Sequence, residues 1–253
     1  MAQLALAGCA GKPEQQLPQL VIGYSTYRPY IFIDDDGEVA GSDAMLAREA
    51  CARMGYEPVF KEIVWQDRDL YLKSGEVDCL WSCFSMDGRE DEYSWVGPYM
   101  MSREVVAVLV SSSINSLADL KNKRIGVKVS TKPEEIFLER TDKRVPKVSN
   151  VFSLSSAEEL AVALRNEYVD ACSGHAAALR DCFQTADVAY RFLDEVLLYV
   201  RLGVAFSKQR SDGVQEQMNA AFEEMLLDGT TRQVLLQAGL DADNALEGVS
   251  GHE

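Results

Sequence analysis

The sequence predicts an α/β protein built from two similar units, and three observations carry that prediction. Short β-prone runs alternate with segments of helical periodicity over residues 20–81. The same rhythm restarts after the β-branched run Val105 to Val110. The chain then ends in helices too few to enclose a core of their own. Alternation of this kind gives a mostly parallel sheet with helices on its faces.

In the first unit, Leu20 to Gly23 is a short strand, followed by the aromatic, proline-containing turn Tyr24 to Tyr30 and the turn Asp34 to Gly37. Ser42 to Met54 has helical periodicity, with Ser42 or Asp43 as cap and Gly55 as stop. A strand is expected at Pro58 to Ile63, a helix at Asp67 to Lys73, and a buried strand at Val77 to Trp81. In the second unit, Leu117 to Leu120 reads as a short helix and Arg124 to Val129 as a strand. Pro133 opens a helix whose first turn holds Glu134 and Glu135, where carboxylates suit the positive end of the helix dipole. Ser156 and Glu159 form a capping box before Leu160, Ala163 and Leu164. Tyr168 to Cys172 reads as a strand and Gly174 to Cys182 as a helix. A β-prone segment, Val196 to Phe206, leads into helices marked by Val214, Met218, Ala221, Phe222 and Met225 and stopped by Gly229.

With 40 acidic against 25 basic residues the formal charge is -15, so the overall field opposes a nucleic-acid backbone, and no nucleic-acid partner is expected. No apolar run reaches the length of a membrane-spanning helix. Two histidines without paired ligand spacing argue against a metal site, and no phosphate loop or nucleophile elbow is present. No cofactor is expected. Cys51, Cys79, Cys83, Cys172 and Cys182 read as buried thiols rather than a disulfide framework. At the amino terminus, Leu6-Ala7-Gly8-Cys9 resembles a bacterial lipobox, in which the cysteine receives acyl chains; no basic segment precedes it and the apolar run is short. The resemblance implies a truncated lipoprotein signal and tether over residues 1–19, lipidation of Cys9, and an extracytoplasmic, membrane-anchored protein.

Seven motifs in order extend the comparison. They are Val21 to Tyr30, Asp36-Gly37 leading to Val39 through Asp43, Leu72 to Asp78, and Arg89 ahead of Tyr93 to Tyr99. Leu117 to Gly126, Tyr168 to Ala171 and Leu202 to Phe206 complete the set. Together they resemble the solute-binding proteins of bacterial amino-acid ABC transporters. The resemblance implies the type II periplasmic-binding-protein fold: two α/β lobes joined by two crossover strands, with ligand in the cleft between them. Lobe 1 would comprise residues 20–107 with 200–253, and lobe 2 residues 108–199. Crossovers are expected near Val106 to Ser111 and Tyr199 to Val204.

The resemblance also implies a site. Arg89 takes the place of the arginine that holds a ligand α-carboxylate, a role suited to its planar, permanently charged fork. The competing reading is a surface ion pair with Asp87, Glu90, Asp91 or Glu92. Tyr27 and Trp65 match aromatic walls, or else core residues. Ser82 lies where hydroxyl and backbone groups contact the carboxylate. Ser130, Thr131 and Lys132 lie at a helix start that offers amides to the same anion, or simply caps the helix. Three positions depart from the pattern. His175 stands where a carboxylate usually meets the ligand amine, and supplies no countercharge when neutral. Phe84 replaces a small hydroxyl residue, and Lys132 replaces a threonine. These departures point toward a more anionic or amine-free ligand.

The expected function is extracytoplasmic capture of a small carboxylate-bearing solute, an amino acid or a derivative, and its delivery to ABC permease transmembrane subunits by a monomer that catalyses nothing. A cyclohexadienyl-dehydratase-like enzyme is the alternative, with His175 as its acid; a ligand-sensing domain of a signalling protein is another.

Overall fold

The computed structural model describes residues 16–249; Cys9 and the lipobox lie outside the described residues. Strand β1 (Gln19–Tyr24) runs parallel to β4 (Glu57–Glu62) on one side and β5 (Cys79–Leu80) on the other. Between them lie a small antiparallel pair, β2 (Phe32–Ile33) and β3 (Val39–Ala40), then helix α1 (Ser42–Met54). Helix α2 (Arg68–Ser74) follows a 3-10 turn at Trp65–Asp67. In the second half, β7 (Arg124–Lys128) lies parallel to both β8 (Asn150–Leu154) and β9 (Ala171–His175). Helices α3 (Lys132–Glu139), α4 (Ala157–Arg165) and α5 (Ala176–Thr185) pack around them.

Two long strands join the halves. Strand β6 (Ser94–Leu109) and strand β11 (Leu198–Phe206) are antiparallel partners, with β10 (Tyr190–Phe192) paired to the far end of β6. The sheet order is β4-β1-β5-β11-β6-β9-β7-β8. A crossover was expected at Val106 to Ser111. Instead, β6 already pairs with β9 from Glu104 to Ala107, and its passage between the halves lies nearer Gly97 to Arg103. The reason is apolar burial: Val105, Val106, Ala107 and Val108 are all buried, which an open connection would not allow.

Helix α1 covers the residues its periodicity indicated, yet its cap differs. Gly41 is the cap residue, at φ 101, where an added Cβ would meet the Tyr30 carbonyl oxygen at 2.4 Å. Asp43 is therefore free to turn inward, and it is fully buried. Gly55, left-handed at φ 73, ends the helix. Ser156 caps α4 by accepting the Glu159 amide. Strand β9 runs three residues later than expected. Its Ala107 partner is Cys172, and Asp170 before it is occupied by Arg124 (Oδ1 to Nη2, 2.7 Å), so the strand extends to His175 and α5 begins only at Ala176.

Helices α6 (Val214–Leu227) and α7 (Thr230–Gln237) pack on α1, and α8 (Ala242–Leu246) lies against β6. One apolar core runs from Leu20, Ile22 and Leu46 through Trp81 and Tyr99 to Leu160, Leu179 and Phe183. The five described cysteines are free and buried. No described helix is long and apolar enough to cross a membrane, and no cluster of metal-ligating side chains occurs among the described residues.

Candidate functional site

The carboxyl ends of β5, β7 and β9 meet beside β6, the place where open α/β sheets hold ligands. There a small cavity is lined by Tyr27, Trp65, Ser82, Phe84, Arg89, Ser130, Thr131, Lys132 and His175. The nine ligand-binding residues expected from the sequence are thus brought to one cavity. Glu104 and Lys128 line it too.

Arg89 lines the cavity, and two of its acidic neighbours are otherwise engaged. Asp87 and Glu90 pair with Arg201 at 2.8 and 2.7 Å, and Asp87 Oδ2 also accepts the Arg201 amide. Among the described residues Arg89 has no carboxylate partner; Nη1 donates a long bond, 3.4 Å, to the Ser85 carbonyl. The surface-ion-pair reading is therefore corrected. Its guanidinium carbon lies 5.4 Å from the centroid of Phe84, and that of Arg68 lies 5.4 Å from the same ring. Burial first, and Arg68 second, draw Arg89 below the usual arginine value, though a guanidinium stays charged. Phe84 itself packs edge-on against Trp65 (5.0 Å) and Tyr93 (5.4 Å). The aromatic set is a rigid floor beneath two arginines.

Asp43 fixes the loop that carries Ser82 and Phe84. Its Oδ2 accepts the Cys83 amide at 2.6 Å and its Oδ1 accepts Tyr99 hydroxyl at 3.1 Å. Burial pushes its carboxyl up to about 7. Cys83 sits at φ 50, a left-handed conformation that a non-glycine residue keeps only when its surroundings enforce it. The Ser82 hydroxyl is spent on the scaffold: it donates to the Ser25 carbonyl at 2.7 Å and accepts the Ser25 amide at 3.2 Å. Thr131 likewise donates its hydroxyl to the Lys128 carbonyl at 2.6 Å. The Ser130 amide is taken by Glu134 at 2.6 Å, while the Thr131 amide has no acceptor among the described residues. Lys132 pairs with Glu135 at 2.7 Å.

Opposite this wall stands Glu104, directly paired in register with His175. Glu104 Oε1 is 3.2 Å from His175 Nε2, and both side chains are almost wholly buried. His175 Nδ1 bonds to Ser102 Oγ at 2.9 Å, which in turn meets Tyr30 hydroxyl at 3.3 Å. Burial pushes Glu104 up to about 8 against the opposing influence of Arg89. Burial, then Lys128, pulls His175 down to about 3. At neutral pH the pair is thus uncharged. Glu104 Oε2 is buried without a partner. The second cation, Lys128, sits with Nζ 4.0 Å from the Tyr27 ring centroid, its ammonium lowered by burial and without an ion pair among the described residues.

A larger cavity, about 370 Å³, lies behind the crossover strands, lined by Arg103, Arg180, Tyr199 and α8. None of the buried unpartnered polar atoms belongs to it. The polar convergence, and hence the candidate site, is in the smaller cavity.

Sequence reasoning passed over Glu104 and Lys128. The available signal was one charged side chain breaking an otherwise apolar strand: Glu104 ahead of Val105 to Val110, and Lys128 within Ile125 to Val129.

Comparison with known proteins places these features in a wider set. A family model described as bacterial extracellular solute-binding proteins, family 3, matches residues 20–237. The histidine-binding periplasmic protein of Salmonella typhimurium is 28% identical over 214 residues, covering 81% of each chain. The L-cystine-binding protein of Escherichia coli is 26% identical over 239 residues, covering 93% of this chain and 87% of its own. Among solved structures, Tv2483 bound to L-arginine superposes with a TM-score of 0.80 at 24% identity, covering 92% of this chain and 94% of that one.

Proposed function

The chain belongs to the bacterial extracellular solute-binding proteins of family 3, and from that membership we propose that it captures a small carboxylate-bearing solute, an amino acid or derivative, for an ABC importer. Capture takes place outside the cytoplasm, and the ligand leaves chemically unchanged. The observation that carries this reading is Arg89. A guanidinium aimed into a cavity, with its neighbours Asp87 and Glu90 paired to Arg201, is a fork suited to a carboxylate.

In this reading the Thr131 amide at the start of α3 joins Arg89 on the ligand carboxylate. Tyr27 and Trp65 flank the rest of the ligand. Ser82 and Thr131 hydroxyls shape the cavity rather than touch its occupant, because both are committed to backbone groups. The two lobes, with their boundary in β6 nearer Gly97 to Arg103 than the expected residue 107, close as rigid bodies on the ligand. The protein works as a monomer, tethered through Cys9. Support for the tether is the Leu6 to Cys9 motif alone.

A thermal-shift screen of the protein without residues 1–15 against the twenty amino acids and a set of amine-free carboxylates tests the reading. A ligand at about 100 times its Kd stabilises by roughly 2.7 kcal/mol. Failure of every compound to move the midpoint counts against the proposal.

A further inference from the structure

A buried pocket has to settle its charges, and this one is unbalanced. Its charged lining side chains are Arg89, Lys128, Lys132 and Glu104. Lys132 is offset by Glu135. Arg89 and Lys128 have no carboxylate partner among the described residues; Lys128 is buried and Arg89 half-buried. Leaving two cations desolvated and unpaired is costly, so an occupant of matching negative charge is strongly favoured. A cationic side chain, by contrast, meets only one acid, Glu104, and three cations.

Glu104 supplies the other half of the pattern. It faces His175 across adjacent strands, its Oε2 is buried with no partner, and Arg89 is near enough to influence it. A carboxylate and an ammonium on one α-carbon would meet two such opposed groups at once. His175, anchored at Nδ1 by Ser102, is a positioning residue that holds Oε1 and leaves Oε2 to the ligand.

We propose that the cavity takes an α-amino acid with an acidic side chain: Arg89 binds the α-carboxylate, Glu104 accepts from the ammonium, and Lys128 meets the side-chain carboxylate. The inference rests on the amino-acid-capture reading above and specifies its ligand class. The charges then close. Arg89, Lys128 and ionised Glu104 sum to one positive charge, and glutamate or aspartate carries one negative charge.

The groups facing Glu104 are His175 from β9, Arg89 and Cys83 from the loop after β5, and Tyr27 and Tyr30 from the turn after β1. With its carboxyl raised to about 8 by burial, Glu104 holds a proton at pH 7 in the empty cleft. An incoming ammonium makes it ionise, so binding releases that proton to the buffer.

The test is titration calorimetry at pH 7 in two buffers of different ionisation enthalpy, with L-glutamate, L-aspartate, L-glutamine, L-arginine and glutarate as probes. The expected result is tightest binding of L-glutamate or L-aspartate, with release of about one proton per ligand. Glu104→Gln, nearly isosteric with the protonated acid, lowers that affinity roughly thirtyfold or more and abolishes proton release, while leaving glutarate binding unweakened. Lys128→Met removes the preference for L-glutamate over L-glutamine. Tightest binding of L-arginine or L-glutamine overturns the acidic ligand class and leaves amino-acid capture standing. Glutarate binding as tightly as L-glutamate, without proton release, overturns the role of Glu104. If none of the probes binds and the wider screen is also blank, capture itself fails along with the inference.

Discussion

Glu104 Oε1 and His175 Nε2 lie 3.2 Å apart across neighbouring antiparallel strands, in a pocket where neither side chain carries charge at neutral pH. An uncharged acid beside an uncharged base makes the empty protein sensitive to pH.

The Glu104 carboxyl is raised from 4.5 to about 8, and that of Asp43 from 3.8 to about 7, both chiefly by burial. A raised carboxyl favours the folded state fully below its unfolded value and loses that advantage as pH rises through its folded value. His175, lowered from 6.5 to about 3, acts oppositely and matters as pH falls below 6.5. The ligand-free midpoint is therefore expected to fall between pH 6.5 and 8, each carboxyl contributing at most about 1.4 kcal/mol per pH unit. Glu104→Gln flattens part of this slope and leaves the part due to Asp43. An unchanged slope in that variant contradicts the assignment.

Asp43→Ala removes the acceptor for the Cys83 amide and the Tyr99 hydroxyl, leaving two buried donors unmet. A loss of about 2–5 kcal/mol is expected by denaturant unfolding. Asp43→Asn keeps an acceptor oxygen and is expected to lose less. The two variants losing equal stability would mean that the charge, not the bond to Cys83, matters.

Ser82→Ala loses both bonds to Ser25 and no direct ligand contact. Stability is expected to drop by about 1–3 kcal/mol, with a smaller effect on affinity once the variant is saturated and folded. A large affinity loss at undiminished stability would place the hydroxyl on the ligand instead.

The pairing of Glu104 with His175 is also the one feature that favours a dehydratase-like enzyme, since it puts an acid in the cleft. The capture reading expects no turnover: prephenate mixed with the protein gives no growth of phenylpyruvate absorbance. A rise that disappears in Glu104→Gln would make the protein an enzyme.

The alternation of strands and helices was legible, and so were the cavity-lining positions from Tyr27 to His175 other than Glu104 and Lys128, because ordered motifs place their residues at strand ends. What escaped was set by register and by competition for partners. Nothing in the local sequence says that Glu104 faces His175; that follows from β6 pairing with β9 at Ala107 and Cys172. Asp43 read as a cap because Gly41, which takes that place, does so through a close approach to Tyr30 that only folding creates. Arg89 looked crowded by acids until Arg201, arriving on the distant strand β11, took two of them.

Arg89→Ala, measured by ligand titration alongside its unfolding midpoint, tests the central claim most directly. Capture through Arg89 predicts that the variant folds with a midpoint near that of the parent and loses binding, and that Arg89→Lys recovers little because an ammonium lacks the two-pronged fork. Affinity undiminished in a folded Arg89→Ala variant would contradict it.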